Sequence, residues 1–144
     1  DSQLPSLKLE LVTSRGPWLS EPLAAAAITW TTALAAAALP ERQPFPRLYE
    51  ALGGVLDAVC AAPSARGWMV PLLSFEVLLL RELGFGVPVS RPGDDGWPAL
   101  LAIFDRLGPE LSLHALGHRT LAARTGDVMA ARSMLRDRLA RIEG

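Results

Sequence analysis

The chain has 144 residues, half of them apolar and a fifth charged, with a formal net charge of −1. That is one domain's worth of chain with a sizeable core, too apolar to be disordered and too balanced to be a uniformly basic nucleic-acid binder. A single cysteine, Cys60, excludes a disulfide framework and any multi-cysteine zinc site.

Other classes fall away on similar grounds. The longest strongly apolar stretch, Trp68 to Leu80, is 13 residues long and contains Glu76; a membrane-spanning helix needs about 20. The opening Asp1-Ser2-Gln3-Leu4 has no basic or apolar leader, so no secretory signal is expected, and the lack of disulfides points to the cytoplasm. The first residue is not methionine, so two readings stay open: a processed or trimmed chain, or residues missing before Asp1.

Residues 6–13 alternate apolar and polar, with Leu7, Leu9 and Leu11 on one side. That period predicts a half-buried strand. A lone strand needs a partner, and no second strand is evident. Two readings stay open: an extended arm packed on helices, or the last strand of a sheet lying upstream of Asp1.

After the Gly16-Pro17 turn, Ser20 and Pro22 predict a helix start, and the helix reaches about Leu39 before Pro40. Its apolar stripe is Leu23, Ala27, Trp30, Leu34 and Ala38. The eight alanines in its two runs favour helix and let a neighbour approach closely. Pro44-Phe45-Pro46 opens a second helix to about Ala62, with the stripe Leu48, Leu52, Val55, Leu56 and Val59. Gly53 and Gly54 within it predict a close helix contact.

A third helix, capped by Ser64, runs to Leu83 and is apolar on nearly every face, which marks it as the buried central helix. Pro71 fits its first turn if the helix starts near Val70, and kinks it otherwise. Gly84 supplies the C-cap. Residues 87–96 form a loop. Two short helices are expected next, about 98–107 and 111–123. A last helix begins at Thr125-Gly126-Asp127 and reaches Ile142, with the stripe Val128, Ala131, Leu135, Leu139 and Ile142. The fold class is all-α, a bundle of about five to six helices with a short N-terminal extended strand.

Few constellations carry chemistry. His114 and His118 have the spacing of a two-histidine metal clamp, but no glutamate lies between them and no third ligand is evident. They are read as surface or partly buried histidines. Cys60 has no histidine near it in sequence and reads as a small hydrophobe. Glu76 is the one charge in the apolar core of the central helix, and a buried carboxylate must be paired. It reads as the acidic half of a salt bridge to an arginine on another helix. Nothing assembles into a catalytic set, a phosphate-binding glycine loop or a cofactor site, so no enzyme, metal or cofactor is expected.

The charge distribution is uneven. Between His114 and Arg141 lie six arginines (119, 124, 132, 136, 138 and 141) against Asp127 and Asp137, a net +4. Residues 1–113 carry a net −4. The last helix therefore offers an arginine face. It reads either as a solvated surface suited to the helix dipole or as a patch for phosphates or an acidic peptide.

Three segments carry a resemblance: Leu48-Tyr49-Glu50-Ala51-Leu52, Pro63 to Trp68, and the run from Phe75-Glu76 through Leu83-Gly84-Phe85-Gly86. Together they resemble the RecO family of bacterial DNA repair and recombination proteins, and residues 39–46 resemble its alphaproteobacterial branch. The similarity covers about residues 4–91. It implies an N-terminal OB-fold followed by a helical domain. On that template residues 1–16 are an arm left from an OB-fold that is otherwise largely absent, and residues 17–144 are the helical domain.

Two departures stand out. The family commonly places a cysteine after its Leu-Gly-Phe-Gly phrase, opening a zinc site, whereas here Val89-Ser90-Arg91-Pro92-Gly93 follows. Zinc is therefore not expected. Basic residues that precede the Phe-Glu pair in some members are Leu73 and Ser74 here. This shifts any site for the acidic tail of single-stranded DNA-binding protein toward Arg66, Arg81 or the C-terminal arginines.

The resemblance implies a recombination mediator, active in DNA damage repair, that binds and anneals single- and double-stranded DNA and, with RecR, helps load RecA. The expected DNA contacts are Arg119, Arg124, Arg132 and Arg136. The rival expectation is a protein-interaction module for RecR or the single-stranded DNA-binding protein tail. The two separate on whether the C-terminal arginines converge on an open surface or disperse into internal pairs.

Overall fold

A computed structural model describes residues 22–39, 45–62, 64–85, 96–117 and 122–142. Five α-helices follow in order: α1 (Pro22–Ala38), α2 (Pro46–Ala61), α3 (Arg66–Glu82), α4 (Trp97–Glu110) and α5 (Ala122–Leu139). A π-helical segment, Leu111–Leu116, continues α4 without a break. The described part is an all-α bundle. The alternating stretch 6–13 and the Ser20 cap lie outside the described residues.

The apolar stripes explain the packing. In α2, Leu48, Leu52, Val55, Leu56 and Val59 are all buried, and this face lies against α3. Trp30, Leu34 and Ala38 are buried in α1, and Val128, Leu135 and Leu139 in α5; these two helices pack along each other. Trp68, Met69, Leu72, Leu73, Phe75, Leu79 and Leu80 bury α3 at the centre, and α4 and the π-helical segment close over its other side.

The end of α3 shows what Leu83-Gly84-Phe85 does. Gly84 adopts φ +97°, which side chains resist. The Phe85 N–H donates to the Leu80 carbonyl at 2.8 Å and the Gly84 N–H to the Arg81 carbonyl at 3.0 Å. This is a Schellman motif. Phe85 then leaves the helix to stack on His114 of the π-helical segment, with centroids 4.3 Å apart.

Four local expectations are corrected. Gly53 and Gly54 do not mediate a close contact, because a Cβ at either would meet nothing within 4 Å. Close approach occurs at Gly67 instead, where a Cβ would lie 2.6 Å from that of Ala62 in the tight turn between α2 and α3. Ser64 makes no side-chain cap; Ala65 is the cap residue, and backbone carbonyls of Ser64 and Ala65 accept the first bonds. Pro71 therefore lies inside α3, where it supplies no N–H to the Gly67 carbonyl one turn back.

The fourth correction concerns Gly108-Pro109, expected to separate two helices. Helix α4 runs through them. Pro109 removes one i→i−4 bond and crowds the Asp105 carbonyl, and the chain widens into the π-helical turn from Leu111. The last helix also begins one turn before Thr125.

The glycines give an early stability test. Gly54→Ala is expected to stabilise the fold by about 0.5–1 kcal/mol, since the site is open and helical. Gly84→Ala is expected to destabilise it by about 1–2 kcal/mol. Urea unfolding followed by circular dichroism reads both, and equal signs would contradict the placement of the two glycines.

Candidate nucleic-acid interface

The site is built from side chains that α5 sends toward α3 and α4. Its inner member is Arg132. Glu76 on α3 is fully buried, and a lone carboxylate there would be costly. The Arg132 guanidinium donates to Glu76 Oε2 at 2.8 Å, and the Trp30 indole N–H of α1 donates to the same oxygen, also at 2.8 Å. A second Arg132 nitrogen donates to the Phe104 carbonyl of α4. The guanidinium lies over the Phe104 ring, 3.7 Å from its centroid, and 4.8 Å from that of Trp30. Cation–π attraction and planar donors suit arginine here and not lysine.

Gly108 makes this possible. A Cβ at that position would sit 3.3 Å from Arg132 Nε, so the missing side chain leaves room for the arginine stem. One residue thus joins four helices: α1 through Trp30, α3 through Glu76, α4 through Phe104, and α5 itself.

Arg136 lies one turn further along α5. It makes a two-pronged pair with Asp105 of α4, Nε to Oδ1 at 2.6 Å and a terminal nitrogen to Oδ2 at 3.0 Å. The hydrogen-bonded Asp105 carboxylate raises the Arg136 pKa above its ordinary value, against a smaller opposing effect of burial. This pair faces solvent, with side-chain exposures of 32% for Arg136 and 51% for Asp105. Beside it opens a cleft of about 310 Å³, lined by Phe104, Pro109, Ser112, Met129 and Ser133, among others.

The expected DNA-contact residues therefore separate. Arg132 is only 4% exposed with its guanidinium committed internally, so its assignment as a surface phosphate contact is corrected to a buried structural one. Arg136 is accessible but paired. Arg124 is exposed on α5. Arg119 and His118 lie outside the described residues. Arg141 is exposed and Arg138 half-buried, and no Asp137–Arg141 pair forms among the described residues. Arg66 and Arg81 are exposed at opposite ends of α3, roughly 22 Å apart along the axis, and do not form one site.

Sequence reasoning anticipated that Glu76 binds an arginine of another helix. It missed Trp30 as the second donor and Asp105 as the partner of Arg136. The cue for Trp30 was its place on the buried stripe of α1, since a buried indole N–H usually finds an acceptor. Asp105 carried no cue, being one exposed acid among several.

Among the described residues no three His, Cys, Asp or Glu side chains gather to hold an ion. His114 is half-buried, with Nε2 3.5 Å from Glu110 Oε1. Among the described residues no helix is long and apolar enough to cross a membrane.

Comparison with known proteins places this architecture. Residues 19–137 match the family described as "Recombination protein O C terminal". A DNA repair protein RecO of Gluconacetobacter diazotrophicus is 37% identical over 119 residues, covering 80% of this chain and 47% of that protein. The RecO of Paracoccus denitrificans is 36% identical over 118 residues, covering 81% and 48%. That of Acidiphilium cryptum is 41% identical over 93 residues, covering 61% and 34%. The chain thus spans about half the length of the first two relatives. No solved structure matches it. The chain belongs to the RecO family, which it matches through that family's C-terminal domain.

Proposed function

We propose that this chain is a DNA-contacting helical domain of a RecO-type recombination mediator. It binds strands electrostatically and breaks no bond. One observation carries the reading: the stretch of net charge +4 keeps Arg124, Arg136 and Arg141 accessible, while the interior is organised by Arg132. Arg119 joins this set by its position in the sequence. Guanidinium groups neutralise phosphates and release counterions, which gives affinity without sequence preference. Arg124 and Arg136 are roughly 18 Å apart along α5 and about 120° apart around it, so a strand touching both crosses the helix obliquely. Annealing, and assistance to RecA with RecR, are the activities such binding serves.

Charge reversal tests the assignment. Arg124→Glu with Arg136→Glu is expected to weaken binding of a labelled single-stranded oligonucleotide at least tenfold at low salt and to flatten its salt dependence. Unchanged anisotropy curves would remove the DNA reading.

A second reading has its own observation. Arg132 and Arg136 are taken into internal pairs, and Leu113 and Met134 expose large apolar side chains, at 57% and 56%. Exposed apolar side chains suit a protein-interaction module for RecR or for the acidic tail of single-stranded DNA-binding protein. In that case Leu113→Ser and Met134→Ser would abolish co-elution with RecR on gel filtration while DNA binding stayed absent or unchanged.

A further inference from the structure

We propose that the mouth of the cleft between α4 and α5 is a subsite for one backbone phosphate of single-stranded DNA, and that Asp105 restrains it by occupying Arg136 as a phosphate would. The proposal rests on the DNA reading above and names the residue that limits it.

The geometry is that of a substitute ligand. Both Asp105 oxygens accept from one edge of the Arg136 guanidinium, at 2.6 and 3.0 Å. The two non-bridging oxygens of a phosphodiester can engage the same edge in the same way. The pair stands in water, with half of the Asp105 side chain exposed, so solvent screens it, and its two-pronged geometry places it at the stronger end of an otherwise weak class. A phosphate that takes up the same two nitrogens replaces both bonds, and so displaces the carboxylate at small cost.

The surroundings favour the exchange. Ser133 lies three residues before Arg136, on the same side of α5. Ser133 and Ser112 both line the same cleft, and a serine hydroxyl can donate to a phosphate oxygen. Arg132 at the floor keeps its donors on Glu76 and Phe104 and so fixes the wall without binding. Asp137 also acts on Arg136 through its charge but makes no hydrogen bond to it, which makes it the control.

The test is fluorescence anisotropy of a labelled poly-dT oligonucleotide with the 144-residue chain. Asp105→Asn is expected to raise affinity about two- to fivefold, the span that removing a weak surface pair allows. Asp137→Asn, which removes the same charge, should have a clearly smaller effect. In an Arg136→Gln background the Asp105→Asn gain should vanish. An unchanged affinity for Asp105→Asn, an equal gain from Asp137→Asn, or a gain that survives Arg136→Gln would overturn the proposal. If Arg124→Glu weakens binding while Asp105→Asn does nothing, the DNA reading stands and the subsite falls. If no arginine variant alters binding, both fall.

Discussion

Arg132→Ala is expected to destabilise the domain by about 3–5 kcal/mol, because it strands a buried carboxylate. Glu76 has no solvent exposure, and Arg132 is its ionic partner. The Trp30 N–H would remain as its one donor, which cannot neutralise the charge. Domains of this size have about 5–15 kcal/mol in all, so the loss is a large share of the total. A fall in Tm of about 10 °C or more should follow. The double variant Glu76→Gln with Arg132→Met should recover most of it, since no charge stays buried and the amide oxygen still accepts from the Trp30 N–H. Thermal melts of the two single variants and the double one form a cycle. Additive losses would show that the two residues do not act as a pair.

The second large effect falls on the neighbouring residue. Phe75→Ala is expected to destabilise by about 3–5 kcal/mol, the range for emptying a buried aromatic site. Ser74→Ala, one residue earlier, should change stability by less than about 0.5 kcal/mol, because Ser74 is exposed. The contrast checks the register of α3. Phe75 faces the core and Ser74 faces solvent, while Glu76 turns into the polar junction. Similar urea midpoints for the two variants would mean that α3 is rotated from the orientation described.

Much of this architecture was legible because helical stripes are local. The five apolar positions of α2 are all buried, as their spacing requires, and the apolar faces of α3 do mark the central helix. The Gly84 cap was legible for the same reason: a glycine after a long apolar helix has few other uses. The failures come from tertiary context. Gly53 and Gly54 look like contact glycines, yet whether a Cβ has a neighbour depends on where another helix lies. Gly108 looks like a helix break and instead makes space for Arg132, a residue 24 positions later.

The arginines of α5 were hardest to sort. In sequence Arg124, Arg132 and Arg136 are alike, each a cation on a helix with an apolar face. What separates them is what waits across the bundle: a buried carboxylate and an indole N–H for Arg132, an exposed carboxylate for Arg136. Glu76 announced that one arginine would be consumed, but not which one. The net +4 counted from the sequence therefore overstates what solvent meets, since Arg132 neutralises Glu76 in the interior.

The central claim is that this helical domain reads phosphates by itself. The most direct measurement is the anisotropy of a labelled single-stranded oligonucleotide titrated with the 144-residue chain, once at low salt and once near 150 mM. Binding that weakens steeply as salt rises is the predicted result, because phosphate contacts release counterions. No binding even at low salt would contradict it and leave α5 as a surface for a protein partner.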